Sequence, residues 1–406
     1  MFALLGIAPG SDTGTAAVAR LTGLPEREAR AALRALTEVS LVNRVPGNRH
    51  GMHDLIRAYA MTIADDLPAD IRDAAVRRVV DFYTHTAHAA ALRLDPHHDL
   101  PRPDPPVPGA DPQPVPDAAA AWAWFDAECT CLLAAQHTAA TRTWYPAVWH
   151  LAWGLYTYQY RRGHRHDRLV TWQLATDAAA HLPDPAAPPR AHRFLGLAHA
   201  ELGDHDGAIA HLHQALALAE QLGDATQQAR TQRALARAWG QRGDDQRALE
   251  HAVHALGRYR SLGQPGWVAD ALNAVGWCED RLGHYDAGGE HCRAALTLYQ
   301  RHDNPDGEAA AHDSLGWIEH HRGHHHEAVD HYRRALAMFR DLGNSHEVAD
   351  SLDGLGHPYA ALGRHEQSRT VWLQALALYR EQGRGDDADR VLRQLDELPP
   401  QSPTAE

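Results

Sequence analysis

Between residues 184 and 383 apolar side chains recur three and four positions apart, in stretches separated by short polar turns. That spacing predicts amphipathic helices. A longer period of 40 is superimposed on it, with glycine at Gly163, Gly203, Gly243, Gly283, Gly323 and Gly363. Twelve residues after each glycine stands Ala175, Ala215, Ala255, Ala295, Ala335 or Ala375, followed from the second unit onward by leucine, Leu216 to Leu376. Ala208, Ala248, Gly288, Ala328 and Ser368 form a second small column, and Gly196, Ala236, Gly276, Gly316 and Gly356 a third. Leu195, Leu235, Val275, Leu315 and Leu355 precede that third column, on the apolar face of a first helix. The periodic glycine suits a left-handed helix end, where a Cβ would be strained. A second helix carries the Ala-Leu pair, and the small columns allow the two helices to approach closely. A further breaker, as in Leu222-Gly223-Asp224 or Leu342-Gly343-Asn344, divides one unit from the next. One hairpin cannot bury its own apolar face, whereas stacked hairpins can. The expected fold is therefore an all-α solenoid of about six 40-residue helical hairpins, five of them clear over 184–383 and a degenerate sixth over 144–183.

Position by position the units resemble the tetratricopeptide repeat: Val275-Gly276, Gly283-His284-Tyr285, Gly288, Cys292 and Ala295 follow the family's order of small and large residues. The large inward position is Leu212, Ala252, Cys292, Tyr332 and Trp372. Glu220, Arg260, Gln300, Arg340 and Arg380 stand where the family has a closing proline, so the second helix runs on. The resemblance implies a concave groove lined by the first helices, and a protein or peptide partner within it. Carrying over the groove positions gives Arg190, Arg193, Arg230, Arg233 and Arg237 towards one end. Asp270, Asn273, Trp277 and Asp280 follow, then Asp313, Trp317, His320 and His321, then Asp350, Asp353 and His357. The expected groove is basic at one end and acidic at the other, with two tryptophans between. Exposed Trp and Arg are the residue types that anchor interfaces. The rival reading has Trp277 and Trp317 packed as core between units. Pro358 is expected to kink its helix.

Ahead of the array the pattern changes. Residues 1–64 read as a helix-turn-helix, Thr15 to Leu21 and Glu26 to Leu41, then a two-stranded wing around Pro46-Gly47. This is a small winged-helix module. Residues 65–94 give a connecting helix, 95–116 a proline-rich linker, and 117–143 a helix leading into the repeats of 144–383. Residues 384–406 are expected as a terminal helix and a disordered tail. Met52-His53-Asp54 with Leu-Ile-Arg-Ala-Tyr-Ala resembles the Met-His-Asp motif in the winged-helix domain of NB-ARC signalling ATPases. Trp124-Phe-Asp-Ala-Glu128 and Leu132-Leu133 resemble the segment before tetratricopeptide arrays in bacterial NB-ARC transcriptional regulators. By that resemblance His53 contacts the β-phosphate of ADP, provided that a P-loop domain, which this sequence lacks, is supplied. Direct DNA binding is the alternative, through Arg27, Arg30 and Arg34. Glu26, Glu28 and Glu38 interleave with them, and that near-neutral balance argues against it.

Composition sharpens these expectations. The net charge is −13, and all 39 basic residues are arginine. Without lysine the chain by itself makes neither a phosphate-cradling P-loop nor a Schiff base. Cys129, Cys131, Cys278 and Cys292 form no zinc-site pattern, and structural roles are expected for them. Thirty-one histidines, above all His320, His321, His324, His325, His326 and His331, raise a metal site. The plainer reading is that His325 fills the repeat's tyrosine position and its neighbours face solvent, so no metal or other cofactor is expected. No apolar run is long enough to span a bilayer, and a cytoplasmic location is the default. No catalytic motif is present. The expectation is a non-enzymatic regulatory scaffold for protein–protein interaction, the sensor or partner-binding part of an NB-ARC/tetratricopeptide regulator. Its alternatives are a winged-helix DNA-binding regulator and a stand-alone adaptor without a nucleotide switch.

Overall fold

The computed structural model describes residues 1–96 and 99–399. They form two compact units, one of Met1–Tyr158 with Val170–Pro183, the other of Gln159–Leu169 with the chain from Asp184 onward.

In the first unit α1 (Phe2–Gly6) and β1 (Asp12–Thr13) precede α2 (Thr15–Thr22) and α3 (Glu26–Glu38). A left-handed Gly23, φ 71°, makes the turn between the two helices. α3 stops three residues short of the expected Leu41. Ser40 adopts φ 58° and the Leu41 amide folds back onto the Leu36 carbonyl, which closes the helix. β2 (Asn43–Val45) and β3 (Arg49–Gly51) form an antiparallel hairpin with Val45 opposite Arg49, and β1 pairs with the other edge of β3. The sheet order is β1-β3-β2. α4 (Asp54–Asp65) and the long α5 (Ala69–Leu94) follow, then α6 (Ala118–Thr141). Val18, Leu21 and Leu33 share one core with Val76, Val79, Phe82 and Tyr83 of α5 and with Phe125 and Leu132 of α6.

Polar chemistry fixes this unit as firmly as the core does. Arg49, 7% exposed, donates to Asp12 and Glu128 at 2.5 Å each and to the Cys131 sulfur at 3.0 Å. Tyr83 donates to the second oxygen of Glu128, and the Cys131 thiol donates to the Asp12 carbonyl. Burial pushes that thiol up to about 11, so it remains protonated. The described part of the proline-rich segment, 99–116, has no helix or strand, yet it is not a loose spacer. The Val107 amide donates to Asp81, the Gln113 amide to Thr86, and Arg93 to the Val115 carbonyl, so the segment is strapped along α5.

α7 (Tyr145–Arg162) and α8 (Arg165–Ala179) stand where the degenerate sixth hairpin is expected. The second unit then carries five hairpins: α9 (Ala187–Glu201) with α10 (His205–Gln221), α11 (Ala225–Arg242) with α12 (Asp245–Ser261), and α13 (Pro265–Arg281) with α14 (Tyr285–Arg301). α15 (Pro305–His321) pairs with α16 (His325–Asp341), α17 (Ser345–Ala361) with α18 (His365–Glu381), and α19 (Gly385–Glu397) closes the series. The tip glycines are left-handed, from Gly203 at φ 78° to Gly363 at φ 71°. Asp204, Asp224, Asp244, Asn304 and Asn344 cap the helices that follow them, each accepting an amide hydrogen from three residues on. α17 continues across Pro358, which stands inside the helix. Residues 400–406, where the disordered tail is expected, lie outside the described residues.

Inside each hairpin a small residue of the first helix faces the large inward residue of the second. A Cβ added at Gly316 would lie 2.8 Å from the Tyr332 ring, and one at Gly196 would lie 2.7 Å from Leu212. A Cβ at Gly276 or Gly356 would overlap Cys292 or Trp372. Where the second residue is itself small, Ala252, the first is Ala236. The first helices of successive hairpins touch one another, α9 on α11, α11 on α13, α13 on α15 and α15 on α17, while the second helices make no comparable contact. The first helices therefore form the inner face of the curve and the second helices the outer.

Candidate binding groove

A ladder of contacts 37 residues apart joins neighbouring first helices. The Trp277 indole packs over Gly240, where an added Cβ would lie 2.7 Å from the ring. One unit on, Trp317 turns its indole N–H to Asp280. The next pair is His357 and His320, with ring centroids 6.0 Å apart, and the last is Gln394 and His357 at 3.3 Å. Both tryptophans are thus wedged between units and half-buried, each with part of its ring left open. Arg281 covers one face of Trp277 at 4.8 Å, and His321 lies against Trp317 at 4.5 Å.

One turn earlier on the same helices, the positions 193, 233, 273, 313 and 353 read Arg, Arg, Asn, Asp, Asp. The parallel column 190, 230, 270, 310 and 350 reads Arg, Arg, Asp, Ala, Asp. At the basic end Arg190 lies 3.7 Å from Asp184, and Arg193 covers the Phe194 ring at 4.1 Å. Arg230 stacks on Trp267 at 4.4 Å, Arg233 sits 3.9 Å from Asp270, and Arg237 reaches Glu201 at 3.4 Å. Asn273 lies between the two ends, its side-chain oxygen buried without a donor.

The acidic end is less negative than its sequence. Asp350 accepts from Arg384 at 2.5 Å and from Tyr379 at 2.9 Å, and Asp353 accepts from Arg390 at 2.8 Å. Of the two arginines, Arg384 holds Asp350 below the usual carboxylate range, against the opposing effect of burial. They belong to α19 and the turn before it, outside the repeat, so the 40-residue period gives no sign of them. Asp280 and Asp313 behave differently. Burial raises both, Asp313 to about 7, where its neighbours are Glu347, Asp350 and the donating hydroxyl of Ser351.

A second set of groove contacts also escapes the period. The turn 159–169, a tip in the repeat sense, reaches helices far along the chain. Tyr160 donates to Glu347 at 2.5 Å, Arg161 to Asp306 at 2.8 Å, and Ser345 to the Arg161 carbonyl at 3.1 Å. Arg168, 1% exposed, grips both oxygens of Glu201 at 2.8 and 2.9 Å. No periodicity signals pairs separated by 145 to 187 residues.

The histidines pair locally. His320 meets His325 at 3.1 Å, His312 meets His331 at 2.9 Å, and His324 meets Glu319 at 2.8 Å. Among the described residues no three His, Cys, Asp or Glu side chains come together to hold a metal ion. Burial pulls His312 and His320 down to about 4, so both are neutral near pH 7. All four cysteines are buried and free, and burial raises the Cys278 thiol to about 12. His53 is exposed at the N-terminus of α4, where its side chain caps nothing. Arg27, Arg30 and Arg34 are exposed on α3 beside the equally exposed Glu26, Glu28 and Glu38. No helix among the described residues is long and apolar enough to cross a membrane.

Residues 189–261 and 267–341 match the tetratricopeptide repeat family. A stretch of 88 residues, 21% of this chain, is 42% identical to the regulatory protein AfsR of Streptomyces griseus. A stretch of 91 residues is 37% identical to the regulatory protein AfsR of Streptomyces coelicolor. Each match spans only 9% of the relative's length. Among solved structures, a Rap protein complexed with competence and sporulation factor aligns over 78% of this chain and 96% of its own, at 11% identity and a TM-score of 0.49. A signal transduction ATPase with a tetratricopeptide repeat sensor, from Pyrococcus horikoshii, aligns over 97% of this chain and 62% of its own, at 13% identity and a TM-score of 0.46.

Proposed function

We propose that this tetratricopeptide-repeat protein is a regulatory scaffold that holds an extended segment of a partner protein along the first helices, and acts by binding rather than catalysis. The observation that carries the reading is the column Arg193, Arg233, Asn273, Asp313, Asp353, one residue per hairpin on the inner face. Such a column gives the groove a direction. A segment with acidic residues at one end and basic residues at the other is bound in one orientation, because the reverse places like charges together. The half-buried Trp277 and Trp317 sit between the two ends as apolar anchors.

The test is a panel of extended peptides with charge blocks in both orders, titrated by fluorescence anisotropy. One order is expected to bind at least about tenfold more tightly than its reverse, with the preference lost at high salt. Equal affinity for both orders, unchanged in Arg233→Glu, would sink the reading.

A finer proposal places the chain in an NB-ARC type of transcriptional regulator. It is supported by Met52-His53-Asp54 at the exposed start of α4 and by the partial similarity to the AfsR regulators. On that reading ADP binds only when a P-loop domain is supplied, and then His53→Ala weakens it. Binding unaffected by His53→Ala would exclude the role. The mixed charge on α3 favours a helix that packs within a regulatory module over one laid on phosphates. Retarded migration of duplex DNA at low salt would reverse that preference.

A further inference from the structure

We propose that the groove contains a site for one cationic side chain of the bound segment, a guanidinium or an ammonium, formed by Asp280, Asp313, Tyr332 and Trp317; this rests on the groove reading above. Tyr332 lies on the floor of the groove, 2% exposed, and its hydroxyl makes no hydrogen bond among the described residues. Its ring packs against Gly316 of α15 and its hydroxyl against Gly354 of α17, where added Cβ atoms would lie 2.8 and 2.7 Å away, and burial together with Asp313, Asp353 and Asp280 of three successive first helices raises its pKa.

Comparison with the other hairpins shows what is missing. Tyr299 donates to Asp270, with Arg233 3.9 Å from the same carboxylate. Tyr379 donates to Asp350, which Arg384 neutralises. Arg390 neutralises Asp353. Neither Asp280 nor Asp313 has an arginine at ion-pair distance among the described residues. Asp280 is 3% exposed and its Oδ1 has no donor, although Trp317 and, at 3.9 Å, His321 stand nearby. Asp313 has only the Ser351 hydroxyl. Buried carboxylates in this state are costly, and a cation delivered by a partner removes the cost.

Among the described residues no three His, Cys, Asp or Glu side chains meet closely enough to hold a metal ion, and the donors of this site stand wider apart. An organic cation spans such distances, and the open part of the Trp317 ring offers it a face. The bound cation favours the charged forms of Asp280 and Asp313, which burial opposes.

The full chain, 15N-labelled, would be titrated with N-acetyl-arginine amide and with N-acetyl-citrulline amide, its neutral isostere. The indole N–H signal of Trp317, assigned with Trp317→Phe, is the readout. We expect a saturable shift with the arginine compound and at least about tenfold weaker binding of the citrulline compound. Asp280→Asn and Asp313→Asn, each confirmed as folded by circular dichroism, should each lose at least about tenfold. Equal binding of both compounds, no saturation up to about 50 mM, or affinity unchanged in both variants would overturn the site. The groove reading fails separately. Peptides that bind in one orientation but tolerate arginine-to-citrulline replacement refute the site alone, whereas arginine-compound binding with no peptide binding refutes the groove.

Discussion

Replacing Gly356 with alanine should destabilise the array, although alanine is the better helix former. Within a helix the exchange contributes about 1 kcal/mol in favour of alanine. Against it stands Trp372, the large inward residue of the same hairpin. The added methyl would overlap its indole, which cannot retreat freely because its N–H donates to the Asp353 carbonyl at 3.0 Å. Overpacking costs about 1–3 kcal/mol, and losing the indole hydrogen bond about 1 kcal/mol more. The net expectation is a loss of about 2 kcal/mol. Gly257 supplies the control. It is exposed in the middle of α12, and an added Cβ meets nothing within 4 Å. Gly257→Ala should therefore stabilise by about 0.5–1 kcal/mol. Urea unfolding followed by circular dichroism gives both values, and amide exchange localises the first to α17 and α18. The double variant Gly356→Ala/Trp372→Ala, which imitates the Ala236–Ala252 pairing, should lose less than the two single variants combined. A Gly356→Ala protein as stable as its parent would refute the argument that small and large residues are matched within each hairpin.

Three further outcomes follow from the charges. Arg49→Met leaves Glu128 buried without its cation and should cost about 3–5 kcal/mol in the first unit, much of it recovered in Arg49→Met/Glu128→Leu; no loss in calorimetry would show that the network is not structural. His312 and His320 are held near 4 in the folded chain against 6.5 when exposed, so the unfolded state takes up protons first. Their contribution is intact above pH 6.5 and declines towards pH 4, and a melting temperature flat between pH 7 and pH 5 would contradict it. Asp313 has the opposite sign: raised to about 7 from 3.8, it costs most once ionised above pH 7. Asp313→Asn should thus stabilise by about 2 kcal/mol at alkaline pH and by nothing near pH 4, and an equal effect at both would disprove the assignment.

The hairpins were legible because each demands one kind of residue at one place. A left-handed tip requires Gly203 or Gly243, and the overlap at Gly356 or Gly276 requires a residue without a Cβ. Such demands recur every 40 residues and stand out of a single sequence. The charge state of the groove did not, because neutralisation is a matter of distance. Asp350 and Asp353 read as acidic until Arg384 and Arg390 are found against them. For Trp277 and Trp317 the sequence left open groove and packed junction as rivals, because the offset of one hairpin on the next decides between them. Proline spacing suggested a linker without regular structure at 95–116, but gave no sign that its described residues are fastened by Asp81 and Thr86, which lie on a helix with no unusual pattern.

A linear stack of repeats ordinarily frays from its ends, since a terminal hairpin has one neighbour only. The turn 159–169 alters that expectation, because Arg161, Arg165 and Tyr160 reach Asp306, Asp387 and Glu347, late in the stack. Unzipping the last hairpins then means releasing the first turn as well, so the two ends share one opening event. Such wiring also raises the mean sequence separation of contacts, and the stack should close more slowly than a purely nearest-neighbour array of the same length. Once closed, its C-terminal hairpin should resist amide exchange as well as the central ones do.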